Sequence, residues 1–268
     1  LIRQEAPGSE STAQEITMGN PTRSDTKSAW RCLILSSALV AGGVQAQAIR
    51  AVTETTPYTF QKGDRVEGSA TEVVEKTLQA AGFSDYQVKL YPWARAYDMA
   101  LKEPGVLIFL IARTAAREQQ FKWAGEIMKI QYHLYRLRDR SDISVKTLAD
   151  ARNYTIGVMR DDVRQQYLQS RGFQRLAVSA QWIDNFNKLI KRQVDLVPLT
   201  QDDASSLCAE AHFDCAGLER VLTLDEASTG LYMAYSASTA DSTVQRTRAA
   251  FDKLKADGTV RRIMEKKP

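Results

Sequence analysis

Histidine and cysteine are scarce in this sequence of 268 residues, with two of the first and three of the second. The H-E-x-x-H pair, the G-x-S-x-G elbow and the P-loop are absent, which removes the commonest signatures of metallopeptidases, serine hydrolases and nucleotide-binding enzymes. His133 and His212 stand in no recognised catalytic pattern, and a lone histidine is more often structural. Lysine and arginine, 36 together against 32 acidic residues, never form a long run. A nucleic-acid stripe would have to be assembled by folding, so nucleic acid is not an expected partner. Proline and glycine, 7 and 14, show no linker-like clustering, and neither a low-complexity tract nor a repeat of fixed period occurs. That argues against solenoids and leaves any two lobes joined by short crossings.

What is present is a globular composition, 44% hydrophobic and 25% charged, with length enough for one large core or two smaller ones. Near the start, Arg23, Lys27 and Arg31 precede an apolar run over 33–44, followed by Ala46-Gln47-Ala48. Charge, short apolar run and A-x-A site in that order make a secretory leader, with cleavage expected after Ala48. The run is about a dozen residues, too short for the roughly 20 a helix needs to cross hydrocarbon. A buried helix of the mature fold is the alternative, but Gly42-Gly43 and the flanking charges suit processing better. Residues 1–17 read as polar sequence upstream of Met18, and 1–48 are set apart from the fold. A soluble periplasmic product is expected, without a lipid anchor, since no cysteine stands at the cleavage point.

Cys32 falls in the leader, leaving Cys208 and Cys215 as the pair of the mature chain. An even pair close in sequence, in an oxidising compartment, reads as a disulfide. Zinc is the rival, but only His212 lies between the two, and no C-x-x-C or second nearby histidine completes a site. No metal or cofactor is expected.

From Ile49 onward, short β-like runs alternate with amphipathic helical ones, the rhythm of an α/β domain with mainly parallel pairing. Strands are expected over 49–53, 87–91, 106–112, 155–159, 194–199 and 230–235. The run over 106–112 is continuously apolar, as for a strand buried on both faces. Helices are expected over 69–81, with Gly82 as stop, from Pro92 to Leu101, over 162–171 with Gly172 as stop, and finally over 239–256 and 259–266.

Thr53-Glu54 followed by Pro57-Tyr58-Thr59-Phe60, with Gly68 ahead of a helix, opens a series of short patterns. Tyr91-Pro92-Trp93-Ala94-Arg95-Ala96 comes next, then Arg113-Thr114 with Arg117-Glu118 and Phe121-Lys122-Trp123. Ile156-Gly157-Val158, Asp195 before Leu196, and Phe251, Leu254 and Asp257-Gly258 complete it. In this order they resemble the family-3 bacterial extracellular solute-binding proteins, over essentially all of 49–267. The resemblance implies an α/β, two-lobed periplasmic-binding (Venus-flytrap, type II) fold with a mixed, mainly parallel sheet in each lobe. Lobe 1 would comprise 49–137 with 224–268, and lobe 2 138–223. It further implies capture of a small polar or charged, amino-acid-like ligand in the cleft. A monomer would then deliver that ligand to an ABC transporter permease at the membrane.

The same resemblance nominates site residues. Arg117 corresponds to the arginine that clamps a ligand carboxylate, a task that guanidinium geometry suits; pairing with Glu118 is its structural alternative. Thr114 lies in the same T-x-x-R segment. Arg113 is a second cation nearby, for a more negative ligand or for a salt bridge. Tyr58 and Trp93 could wall the ligand or simply pack in the core. Glu54 stands where relatives turn an acid toward the ligand amine. Arg160, Asp161 and Asp162 make a charged loop where amino-acid binders carry glycine and hydroxyls, and Thr200 stands where many carry an amine-binding aspartate. Asp161 or Asp162 would then replace the missing charge, or the ligand would not be a standard α-amino acid. A lyase-type enzyme on the same fold and a ligand-sensing partner of a receptor remain the competing functions.

Overall fold

The computed structural model describes residues 48–266. The expected leader, with Cys32, lies outside the described residues, Ala48 excepted. Among the described residues no helix is long and apolar enough to cross a membrane.

The chain starts with β1 (Ile49–Thr53), buried at every position but Arg50. A small hairpin, β2 (Phe60–Lys62) and β3 (Arg65–Glu67), follows. Helix α1 (Ser69–Ala80) buries Val73, Val74, Thr77 and Leu78, the stripe its spacing foretells. Gly68 before it has φ 121°, and a Cβ there would stand 2.1 Å from the Tyr58 carbonyl oxygen, so only glycine lets the Tyr58 loop press against the helix start. Then come β4 (Tyr86–Leu90), α2 (Trp93–Lys102) and β5 (Val106–Ala112). Pro92 caps α2, which buries Trp93, Ala96, Tyr97 and Ala100 at helical spacing. All of β5 is buried, as its unbroken apolar run requires.

Beyond it lie β6 (Phe121–Ile130), β7 (His133–Leu137), β8 (Ile156–Met159), α3 (Val163–Ser170), β9 (Leu176–Ser179) and α4 (Trp182–Ile190). The chain continues through β10 (Val197–Leu199), α5 (Gln201–Glu210), β11 (Leu218–Thr223) and β12 (Thr229–Ser236), then closes with α6 (Asp241–Ala256) and α7 (Thr259–Met264). A disulfide joins Cys208 on α5 to Cys215, so the two sulfurs bond each other rather than a metal.

The larger sheet has the order β4-β1-β5-β12-β6. It is parallel across β4-β1-β5 and antiparallel across β5-β12-β6. Elsewhere β10-β7-β11 is antiparallel and β8-β9 parallel, with a bridge from Ile156 to Leu196. The sheets are therefore mixed, as expected, but not mainly parallel, because β12 runs against β5 and β6 and β7 against β10 and β11, with β6, β7 and β12 reached by short connections rather than helical crossovers.

The chain passes from the larger sheet to the strands β7 to β11 between β6 and β7, at Gln131-Tyr132, and back between β11 and β12, over 224–228. The two passages are tied together: Leu224 N donates to Tyr132 O at 2.8 Å, and Tyr132 N to Ser228 Oγ at 3.1 Å. Strand β7 falls within the segment 49–137 expected for lobe 1, yet its hydrogen-bond partners β10 and β11 come from the other segment. The charges over 136–142 that suggested a boundary lie at and beyond its end, where Arg140 pairs with Asp142 and Asp195.

Candidate functional site

Strands and loops of the larger sheet, Tyr132 of the first passage, and the helices α3, α4 and α5 line a cleft of about 700 Å³. The loop after β1 supplies one side. Thr53, fully buried, donates to Phe109 O at 2.9 Å, and Thr59 Oγ1 donates to Glu54 O at 2.7 Å. Reciprocal main-chain bonds between Thr56 and Thr59 close the loop, so Glu54 and Tyr58 are held on a rigid turn. In β5, Leu110 takes φ 58° and is the unpaired extra residue where the register with β12 shifts. This bulge puts a leucine in the left-handed region, a strained choice, and Leu110 lines the cleft.

Arg117, on the turn after β5, is only 1% exposed. Its Nη1 donates to Ala112 O at 3.3 Å and its Nη2 to Asp161 O at 3.0 Å. The guanidinium lies 4.9 Å from the Tyr97 ring centre and 5.7 Å from that of Trp93. Its Nε has no hydrogen-bond partner among the described residues, nor does any carboxylate there pair with it. A buried cation is costly unless compensated. Held by carbonyls and ring faces alone, Arg117 suits an incoming anion. Trp93 Nε1 also donates to Asp161 O, at 3.0 Å, and Asp161 adopts φ 59°.

The opposite side is acidic. Asp162 caps α3 and accepts from Arg164 Nε at 2.6 Å and Nη2 at 3.0 Å. Arg164 Nη1 reaches Asp203 at 3.4 Å and Pro198 O at 3.3 Å. Its guanidinium also stacks 3.7 Å over Trp182 and 4.6 Å over Tyr132. One arginine thus pins α3, α5, β10 and the passage between sheets. Tyr58 Oη donates to Asp202 on α5, a second contact between the two sides. Burial, then that hydrogen bond and charge, raise the Tyr58 pKa. Glu54 keeps partial surface exposure toward the cleft, yet dense protein surrounds it. Burial first, then the charges of Asp162 and Asp203, hold its carboxyl well above the usual carboxylate range, with Arg164 opposing.

The structure brings Glu54, Tyr58, Trp93, Arg117, Asp162 and Thr200 to the cleft lining. Thr200 is committed to a capping box on α5, accepting from Asp203 N at 3.0 Å while Asp203 accepts from Thr200 N. Asp161 contributes its carbonyl rather than its exposed side chain. Arg113 does not reach the cleft: Glu118 binds it in two-pronged fashion at 2.6 and 2.8 Å, over the rings of Trp123 and Tyr232. Glu118 is therefore the partner of Arg113, not of Arg117. Thr114 is absent from the lining, its Oγ1 buried without a partner among the described residues, and Arg160 points to solvent outside it. Arg164, Asp202, Asp203, Tyr132 and Trp182 are site residues that the sequence did not single out.

No protein-family model matches the chain, and no curated protein matches it. Solved structures do. A histidine kinase sensor domain with similarity to periplasmic binding proteins superposes with a TM-score of 0.74 at 16% identity, covering 82% of this chain and 96% of that one. An ancestral arginine-binding protein bound to arginine gives 0.70 at 17%, covering 82% and 97%. The arginine-, lysine-, histidine-binding protein ArtJ from Geobacillus stearothermophilus gives 0.70 at 15%, covering 82% and 95%. Likeness at this level of identity establishes the fold: the chain has the two-lobed α/β architecture of periplasmic binding proteins.

Proposed function

We propose that this protein is a periplasmic solute-binding protein that captures a small amphoteric ligand of amino-acid type and presents it to an ABC transporter. The observation that carries the reading is Arg117, a buried guanidinium without a carboxylate partner among the described residues, at one side of a cleft whose other side is acidic. A ligand carboxylate would take Arg117, its apolar part would lie among Tyr58, Trp93 and Trp182, and its cationic group would face Glu54, Asp162 and Asp203. The strands around β1 and β5 act as lobe 1 and those around β7 and β8 as lobe 2. Ligand bridging them favours the closed form, because only that form touches it from both sides. The arginine-binding neighbours support this class of ligand. The protein works as a monomer without catalysis, exported by its leader.

A sensing role is the second reading, favoured by the sensor-domain neighbour, and it differs only in which partner reads the closed shape. The test of capture is a thermal-shift screen of amino acids, oligoamines and small dicarboxylates, since a bound ligand raises apparent stability by mass action. Stabilisation by amphoteric cations is expected, and no shift with any compound would contradict the reading.

A further inference from the structure

At the acidic side of the cleft two carboxylates share one guanidinium. Asp162 holds two of the Arg164 nitrogens and Asp203 a third, more loosely. Glu54 is near enough for Asp162, Arg164 and Asp203 all to act on it, yet among the described residues its carboxyl has no ion pair and no hydrogen bond, only its main-chain oxygen being engaged, by Thr59. Asp202 is held by Tyr58, while Tyr132 and Arg117 border the same cleft. In all, six acidic residues line the cleft against three basic ones, Arg117, Arg164 and Lys266, and Lys266 is paired with Glu72. An uncompensated carboxylate among protein atoms relieves its desolvation by taking a proton or by gaining a cation. Asp162 and Asp203 already have Arg164, so the choice falls to Glu54.

We propose that Glu54 exchanges a proton for the cationic group of the ligand: it carries the proton while the cleft is empty and releases it to solvent when an ammonium or guanidinium group settles against it. This rests on the reading of the cleft as a ligand site. The balance is one O–H bond broken, one proton to solvent and one carboxylate–cation contact formed, with no redox partner. A neutral molecule of the same shape cannot drive the exchange, so the device selects for charge at that end. Affinity for the cation then rises with pH until Glu54 is already ionised in the empty protein, and levels off beyond it.

The experiment is a pH titration by NMR of the full chain carrying ¹³C at its glutamate carboxyls, with Glu54 identified by the resonance lost in Glu54→Gln, without ligand and then with L-arginine. In parallel, the heat of L-arginine binding is measured in phosphate and in Tris on the acid side of the Glu54 midpoint. Expected are a Glu54 midpoint well above the ordinary glutamate range in the empty protein, its return toward that range with L-arginine bound, and a heat that differs between buffers by about one proton per ligand. An ordinary midpoint in the empty protein overturns the proposal even if L-arginine binds, and so does binding with buffer-independent heat. Failure of L-arginine to bind overturns it as well. In that case a stabilising compound from the thermal screen would leave capture itself standing, so the two readings fail separately.

Discussion

The guanidinium of Arg117 and the main chain of Asp161 meet across the cleft, Nη2 donating to the carbonyl oxygen at 3.0 Å. Trp93 shares that acceptor, so a single left-handed residue of one lobe is gripped by the two lobe-1 side chains nominated for the ligand. Opening the cleft breaks both bonds, and a ligand carboxylate offers Arg117 a charged acceptor in place of a neutral one. Charge-assisted hydrogen bonds are the stronger kind.

Arg117→Ala should therefore weaken binding of the ligand found in the thermal screen by about 1.5–3 kcal/mol, roughly a ten- to hundredfold loss in Kd. Calorimetry on the variant checks it, and unchanged affinity removes Arg117 from the site.

Arg164→Ala should act on folding rather than on ligand contact. It strips the compensating charge from buried Asp162 and partly buried Asp203, and breaking a buried pair from one side costs about 3–5 kcal/mol. Urea unfolding of the variant should show a loss of that order. A loss within experimental error would mean that the Arg164 cluster is open to solvent.

Much of lobe 1 was legible in the sequence because its elements carry strong periodic signals. The expected strand over 106–112 and the helix from Pro92 came out nearly at their observed bounds. Strand β6 escaped notice because its burial alternates poorly, and α5 because only Ala204, Leu207 and Cys208 form its buried face. In the site, Arg117, Glu54, Tyr58 and Trp93 were identified through local patterns. Arg164 was not, since beyond neighbouring Asp162 its partners Asp203, Tyr132 and Trp182 converge from three separate segments only on folding. Of the two roles open to Arg113 the structure shows the salt bridge, with Glu118, five residues on, taking its Nε and Nη2.

Glu54 gives a pH-dependent stability with a definite sign. Its pKa is raised in the folded state, chiefly by burial, so the folded protein binds the proton more tightly than the unfolded chain does. The stability it contributes is present below the ordinary glutamate range and is lost as pH rises through the folded pKa. Glu54→Gln keeps an uncharged group there at every pH. The empty variant should melt at the same temperature as wild type in acid and at a higher one above the Glu54 midpoint, by scanning calorimetry across pH.

Removal of the disulfide by Cys208→Ala with Cys215→Ala should cost about 2–3 kcal/mol, the chain-entropy value for so short a loop. Because the bond lies at the far end of α5 from Asp202 and Asp203, ligand affinity should change little once the variant is folded. Chemical unfolding and calorimetry on the same sample separate the two effects.

A crystal structure of the protein with the most strongly stabilising compound from the screen tests the central claim most directly. The account predicts a carboxylate within hydrogen-bonding distance of Arg117 Nε and a cationic group among Glu54, Asp162 and Asp203, both in the cleft. A ligand bound elsewhere, or one lying in the cleft with its cation toward Arg117, would contradict it.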